Sequence, residues 1–174
     1  RDYRNNARRI RKAMSEQLFD DEGVLAQSYD DLKAGSGYYD GAVLEAFAMR
    51  VMDPTDPRAT TTLAKLREKL AIGDGRGIRR NDDGGAYDNR EWVFVDLRMA
   101  EALRAAGQAA AADTVIAWIT AQSRVNDDLI GELYDEALAG PNAAVYRGAS
   151  PMVGFGAGAY TLALRDKLGL RAPW

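Results

Sequence analysis

Apolar residues recur at intervals of three and four along most of the chain, and this helical periodicity predicts an all-α fold. The pattern is present in six segments, numbered here in chain order: residues 3–18, 41–52, 57–70, 90–106, 109–122 and 151–168. The 174 residues are enough for one domain with its own core, so residues 1–174 are treated as a single region. Residues 24–29 (VLAQSY) have the composition of a short strand.

The connections between the predicted helices differ in length. Residues 53–56 and 107–108 form short turns, whereas residues 19–39, 71–89 and 123–150 form long loops. If neighbouring helices are antiparallel, all the long loops fall at the same end of the array. Binding and catalytic residues concentrate in long loops that a rigid scaffold positions, so this end is the expected functional face.

The helical segments are of two kinds. The second (GAVLEAFAM) and the sixth (MVGFGAGAYTLAL) are apolar nearly all round and need cover on more than one side, whereas the first, third and fifth carry a charged face. Apolar helices inside and amphipathic helices outside are typical of a double-layered helical ring. A plain helical bundle is the alternative, and the distribution of long loops favours the ring.

The amino-acid composition excludes several kinds of active site. The chain has no cysteine and no histidine, which excludes disulfides, thiol nucleophiles, Ser-His-Asp triads and most zinc sites. A net charge of -3 disfavours a nucleic-acid surface, and no apolar run approaches the roughly 20 residues of a membrane span. We therefore expect a soluble protein, cytoplasmic or secreted, without a metal or other cofactor, in which carboxylates carry any acid-base chemistry.

One carboxylate stands out in the third long loop (NDDLIGELYDE). Glu132 follows an apolar pair, Leu129 and Ile130, and a glycine, so its backbone is expected to be fixed while its side chain points out of the loop. A carboxylate held in this way can stay ionised and accept a proton from water. The alternative is a solvated or capping acid, and a solvated acid is also the expectation for the neighbouring Asp127, Asp128, Asp135 and Glu136.

The second long loop (GDGRGIRRNDDGGAYDNREW) contains the residue types that recognise a hydroxyl-rich ligand. Arginine donates in a fixed fork, aspartate accepts from hydroxyls, and aromatic rings give flat faces against which a sugar can lie. The candidates are Arg79, Arg80, Asp82, Tyr87 and Trp92. A glycine-rich connector with a surface ion pair is the alternative. The ligand spacing of a calcium loop and the lysine pattern of a phosphate-binding loop are both missing.

The first long loop ends in Tyr38, Tyr39 and Asp40, directly before the second helical segment. Tyr39 is a candidate for an aromatic wall at the rim of a pocket. The alternative is a helix N-cap, supplied by Asp40, with two tyrosines packed beside it.

Several segments, taken in their order along the chain, resemble segments of a known protein family. ARRIRKAM leads to FDDEGVLAQSYDD, then to YYDGAVLEAF, DPTDPRATTTLAKLREKL, GIRRNDDGGAYDNREWVFVDLRMAEALRAAGQ and LIGELYDE, and SPMVGFGAGAYTLAL stands in the place of a closing helix. In this order the segments resemble the C-terminal half of the catalytic domain of glycoside hydrolase family 15, the glucoamylase and glucodextranase group. The resemblance runs from about residue 7 to residue 168.

The resemblance implies an (α/α)6 barrel of which this chain supplies half, and an inverting, exo-acting hydrolase of α-linked glucose oligosaccharides. Glu132 matches the general base, which activates water. One of Arg79 and Arg80, preferably Arg80, matches an arginine that binds sugar hydroxyls. Tyr87 and Trp92 match aromatic positions near the pocket.

Two departures from the family pattern bear on function. The family's general acid lies in its N-terminal half, in a tryptophan-glutamate context that this chain lacks, and the closing motif here has no histidine. The expectation is that the N-terminal half of the same enzyme, on the same or a separate chain, supplies the acid, that this chain alone is inactive, and that short or α-1,6-linked glucosides of the isomaltose type are preferred. A non-catalytic carbohydrate-binding or assembly module on the same scaffold is the alternative.

Overall fold

Helices dominate the computed structural model, which describes residues 2–35, 39–72, 77–124, 126–134 and 154–170. Its helices are α1 (Asp2–Gln17), α2 (Tyr29–Ala34), α3 (Leu44–Ala48), α4 (Pro57–Lys69), α5 (Val93–Ala105), α6 (Ala109–Arg124) and α7 (Gly154–Lys167). A 3₁₀ turn, Gly41–Val43, precedes α3. Two antiparallel ladders pair β1 (Ala71–Ile72) with β2 (Gly77–Ile78) and β3 (Glu91–Trp92) with β4 (Leu133–Tyr134). The prediction of a mostly helical fold is confirmed.

Two of the predicted helices have different bounds in the structure. The second does not extend to Met52, because Arg50 adopts a left-handed backbone conformation (φ 55°) soon after the end of α3. The fourth begins at Val93 rather than at Arg90, because the two residues before it pair with β4 instead of entering the helix. The first residues of the sixth predicted helix, 151–153, lie outside the described ranges.

The predicted strand at residues 24–29 is largely wrong. In this segment only Leu25 makes a β-bridge, to Phe19, and the chain then turns into α2, a helix that the periodicity did not reveal. Ser28 caps α2, since its Oγ accepts a hydrogen bond from the backbone N–H of Asp31 at 3.1 Å. A serine followed by acidic residues is typical of a helix start. The apolar residues before Ser28 favoured a strand instead.

The predicted caps are confirmed. Asp56 accepts a hydrogen bond from the N–H of Arg58 (2.9 Å), with Pro57 at the first position of α4. Asp40 accepts from the N–H of Ala42 (2.6 Å) and so starts the 3₁₀ turn. Gly107, after the end of α5, has a φ of 79°, a left-handed conformation that only glycine adopts without strain.

Helix α5 lies at the centre of the core. It packs against α3, α6 and α7, and most of its side chains are buried. Helices α4 and α6 each bury one face, as their amphipathic pattern predicts. The fully buried side chains include Phe47 of α3, Leu63 of α4, Leu97 and Leu103 of α5 and Ile119 of α6.

Helices α1 and α7 keep apolar surface exposed. No residue of α1 is buried, and Ile10 is 58% exposed although its spacing places it on the apolar stripe. Helix α7, predicted to need cover on more than one side, buries only Gly156, Ala159 and Ala163 against the described residues, while Phe155 is 41% exposed. No described helix combines the length and the hydrophobicity that a bilayer crossing requires.

The long loops meet, as their placement at one end predicts. The first contacts the second, since the N–H of Gly41 donates to the carbonyl of Arg80 (2.6 Å) and the N–H of Asp82 donates to the carbonyl of Tyr39 (3.2 Å). The second contacts the third through the pairing of β3 with β4. The described parts of the three long loops therefore lie together.

Candidate functional site

Glu132 is held by the β3–β4 ladder. In this ladder Glu91 pairs with Tyr134 and Trp92 pairs with Leu133. The N–H of Val93, the first residue of α5, donates to the carbonyl oxygen of Glu132 at 3.2 Å. The backbone of Glu132 is therefore attached to the start of the central helix, as the apolar residues around it led us to expect.

The Glu132 side chain is half-buried and faces the second long loop. Its Oε1 accepts a hydrogen bond from the hydroxyl of Tyr87 at 2.7 Å. Among the described residues no cation forms a salt bridge with Glu132. The hydrogen bond to Glu132 raises the pKa of the Tyr87 phenol, and desolvation and the negative charge of Glu132 act in the same direction. The Tyr87 hydroxyl therefore remains a donor at neutral pH.

Trp92 and Arg80 extend the site beside Tyr87. The Tyr87 and Trp92 rings meet edge to face, with centroids 5.0 Å apart, and Trp92 Nε1 donates to the Tyr87 carbonyl at 3.3 Å. The Arg80 guanidinium lies 5.4 Å from the Trp92 ring centroid, and its Nη1 is 3.1 Å from Oδ1 of Asp88. Arg80 remains 44% exposed, so part of its donor fork is open to solvent. Asp88 was not singled out in the sequence, where nothing separates it from other loop acids.

The other sequence candidates are placed differently. Arg79 points into the protein, with Nη2 3.3 Å from the carbonyl of Ala71 and Nη1 3.4 Å from the amide oxygen of Asn89, whereas Arg80 is exposed. The Asp82 side chain is exposed. Tyr39 packs against the core beside the Asp40 cap, which agrees with the alternative interpretation of that segment. Tyr38, Asp135 and Glu136 lie outside the described residues.

A second carboxylate, Glu91, lies behind Trp92 and is only 2% exposed. Its Oε1 accepts hydrogen bonds from Trp118 Nε1 and from Gln122 Nε2, each at 2.9 Å, and Gln122 Nε2 is also 3.2 Å from Oε2. Next to it is Asp96, which accepts from the N–H of Ile78 at 3.0 Å. Burial, followed by the negative charge of Glu91, raises the pKa of Asp96 well above its ordinary value.

The start of α7 lies against the loop that carries Glu132. A Cβ atom at Gly156 would come within 3.3 Å of both the carbonyl oxygen of Gly131 and Cγ2 of Ile130, so a glycine permits this close approach. One residue earlier, Phe155 meets Phe94 of α5 edge to face with centroids 5.6 Å apart. No local sequence pattern indicates this aromatic pair, because its members belong to different helices.

The site therefore combines a half-buried carboxylate, a phenol that hydrogen-bonds to it, a half-buried indole and a partly exposed guanidinium. Such a set can accept a proton from water and hydrogen-bond to the hydroxyls of a ring that lies on the aromatic faces. The described residues contain no group of three side chains suited to hold a metal ion.

Solved structures of a glycosidase share this fold. The wild-type glycosidase matches with a TM-score of 0.70 and 25% sequence identity, over 97% of this chain and 44% of that chain. A glycosidase variant in complex with glucose matches with the same TM-score, identity and coverage, and another variant with a TM-score of 0.72 and 26% identity. No protein-family model and no curated protein matches the sequence. The chain thus has a glycosidase fold and spans less than half the length of these structures.

Proposed function

We propose that this chain is the base-carrying half of an inverting, exo-acting α-glucoside hydrolase related to glycoside hydrolase family 15. The observation that carries the proposal is the Glu132 carboxylate, fixed through its backbone to the start of α5 and hydrogen-bonded to Tyr87 at 2.7 Å beside the Trp92 ring. The likeness to a glycosidase that was solved with glucose supports a sugar as the ligand. Short α-linked glucose oligosaccharides are the proposed substrates.

Glu132 acts in this proposal as the general base. The carboxylate removes a proton from a water molecule as the water attacks the anomeric carbon, and the glycosidic bond breaks on the opposite face of the sugar ring. The hydroxyl of Tyr87 occupies Oε1, which orients the carboxyl group and leaves Oε2 for the water. Inversion requires a second carboxyl group, the general acid, which donates a proton to the departing glycosidic oxygen and lies about 6.5–9.5 Å from the base so that the water fits between them.

The general acid is assigned to the N-terminal half of the same enzyme. The chain spans 44% of the glycosidase structures that it matches, so more than half of their length has no counterpart here. The exposed apolar residues of α1 and α7 fit a surface that this other half covers. Catalysis then needs both halves, whether on one chain or two.

Arg80, Trp92 and Asp82 have the proposed role of binding the sugar. The indole offers an apolar face to the sugar ring, the guanidinium donates to its hydroxyls, and the carboxylate accepts from them. Each of these contacts exists in the ground state as well as in the transition state. Replacing one of them should therefore raise KM more than it lowers kcat.

The test replaces Glu132 in the full-length enzyme. The variant Glu132→Gln keeps the shape of the side chain and removes the base, so kcat on α-glucosides should fall by a factor on the order of 100 to 10,000. Asp128→Asn is the matched control, because this exposed acid of the same loop has a φ of 60° that asparagine tolerates, and its activity should be unchanged.

The same protein preparation tests the stereochemistry of hydrolysis and the alternative function, a non-catalytic carbohydrate-binding module. Proton NMR of the first minutes of hydrolysis should show β-glucose released from an α-glucoside. Near-normal turnover of Glu132→Gln would refute the role of the base, and α-glucose as the first product would refute inversion. Binding of oligosaccharides without any turnover by the wild-type protein would instead identify a carbohydrate-binding module.

A further inference from the structure

We propose that Glu91 is a positioning residue for this site, whose buried carboxylate ties the β3–β4 ladder to α6 and so fixes Glu132 and Trp92. The effect on catalysis rests on the function proposed above, whereas the effect on the ladder does not. Glu91 itself contacts no ligand in this proposal, since its side chain lies on the buried side of the ladder.

The ladder needs an anchor because it is short. It consists of the pairs Glu91–Tyr134 and Trp92–Leu133, and two-stranded pairings of this size are not stable by themselves in water. The candidate base follows directly from it, through the hydrogen bond from the N–H of Val93 to the carbonyl of Glu132. Any shift of β3 is therefore passed to Glu132 and to the Trp92 ring.

Helix α6 provides the anchor. Trp118 and Gln122 are four residues apart on this helix, so their side chains lie on the same face, and both donate to Oε1 of Glu91 at 2.9 Å. Hydrogen bonds to a buried charged group are stronger and shorter than those between neutral groups. Through these two donors the position of β3 is set by a helix of 16 residues that packs on α5.

The backbone on the other side confines the same carboxyl group. A Cβ atom built at Gly77 would lie 2.4 Å from Cδ and 2.7 Å from Oε2 of Glu91, so the β2 backbone approaches the carboxyl group more closely than any other residue type would permit. Donors from α6 on one side and the Gly77 backbone on the other leave the carboxyl group one position. A side chain that only filled space here would not need to be ionisable, and burying a carboxylate is costly without such partners.

The experiment separates the acceptor oxygens of Glu91 from the volume of the side chain, in the full-length protein. Glu91→Met has a similar size but accepts no hydrogen bonds from Trp118 or Gln122. Glu91→Gln retains an oxygen at the Oε1 position for both donors, and is the conservative variant that should restore part of the anchor. Hydrogen exchange of the backbone amides reports on the ladder directly, and steady-state hydrolysis reports on Glu132.

Glu91→Met should speed the exchange of amides at residues 91–93 and 132–134 by about 10-fold or more, while those of α6 stay as in the wild type. It should lower kcat by about 10- to 100-fold, because a misplaced base loses rate, and it should also raise KM, because the displaced Trp92 ring binds the sugar less tightly. Glu91→Gln should give values between those of the wild type and those of Glu91→Met in both assays, because it keeps one acceptor oxygen but loses the negative charge. Where the wild type shows no hydrolysis at all, the exchange result stands and only the proposed function fails.

Two results would overturn the proposal. In the first, the ladder amides of Glu91→Met exchange at the wild-type rate. In the second, Glu91→Gln shows the same increase in amide exchange and the same loss of kcat as Glu91→Met. If Glu91→Met does not fold, Trp118→Phe tests the anchor instead, since it removes one hydrogen-bond donor to Glu91 and retains an aromatic ring. Faster exchange confined to the ladder supports the anchor in that variant, and unchanged exchange refutes it.

Discussion

The close contact between Gly77 and Glu91 predicts the consequence of adding one methyl group. In Gly77→Ala the new Cβ would lie 2.4 Å from Cδ of Glu91, whereas ordinary contacts begin at 3.4 Å, so the carboxyl group or the β2 backbone must move by about 1 Å. Gly77 is not among the glycines with positive φ, so alanine adopts its backbone conformation without strain. The cost is therefore the overpacking alone, about 1–3 kcal/mol.

Thermal unfolding of the full-length protein measures this cost. A loss of 1 kcal/mol lowers the Tm of a domain of 150–250 residues by about 2–4 °C, and by about half as much for a domain twice as long, so Gly77→Ala should melt about 1–6 °C below the wild type. Thr60→Ala is the control, because Thr60 is an exposed residue of α4 and alanine has the higher helix propensity, so this variant should be at least as stable as the wild type. If Gly77→Ala melts at or above the wild type, the Glu91 carboxyl group is not seated against Gly77.

Three further variants test other parts of the structure. Tyr87→Phe removes the partly exposed hydrogen bond to Glu132, which contributes about 1 kcal/mol, so kcat for glucose release should fall about 3- to 10-fold, and an unchanged kcat contradicts the assignment. Asp96 has a raised pKa in the folded state, so its stabilising contribution is present at low pH and is lost as the pH rises through that pKa. Urea unfolding at pH 4 and pH 7 should therefore show a smaller loss of stability on raising the pH in Asp96→Asn than in the wild type, and an equal loss refutes the raised pKa. Thr62→Val leaves the buried N–H of Leu25 without its acceptor at 3.0 Å and should cost about 1–3 kcal/mol in urea unfolding, so a cost near zero contradicts the hydrogen bond.

The helices could be predicted where their signals are local. The pair Asp56 and Pro57 places the start of α4 within the sequence itself, and Gly107 places the turn between α5 and α6. The 3.6-residue pattern of a helix needs no knowledge of the rest of the fold. The ends of α3 and α5 could not be predicted in this way, since they depend on a left-handed residue and on a distant strand.

Only part of the arrangement of the candidate site has a signal in the sequence. Glu132 could be selected because its flanking apolar residues and glycine are adjacent to it in the sequence. Its hydrogen-bond partner Tyr87 is 45 residues away, and the sequence suggested only that the two belong to loops at the same end. The residues that hold the site together, Glu91, Trp118 and Gln122, come from two elements whose contact leaves no local pattern.

In two pairs of adjacent residues, one side chain is buried and the other lies at the surface, and the sequence alone does not indicate which is which. In extended backbone, consecutive side chains point to opposite sides, so Arg79 turns inward to the carbonyl of Ala71 while Arg80 lies against Trp92 at the surface. The same alternation buries Glu91 and leaves Trp92 half-exposed. We predicted residues 90–106 as one helix, in which two successive residues would lie about 100° apart and neither would be an obvious anchor for the other. The two residues of β3 therefore place a buried acid on one side of the strand and a half-exposed indole on the other. This arrangement depends on the pairing of β3 with Leu133 and Tyr134, which lie about 40 residues away in the sequence.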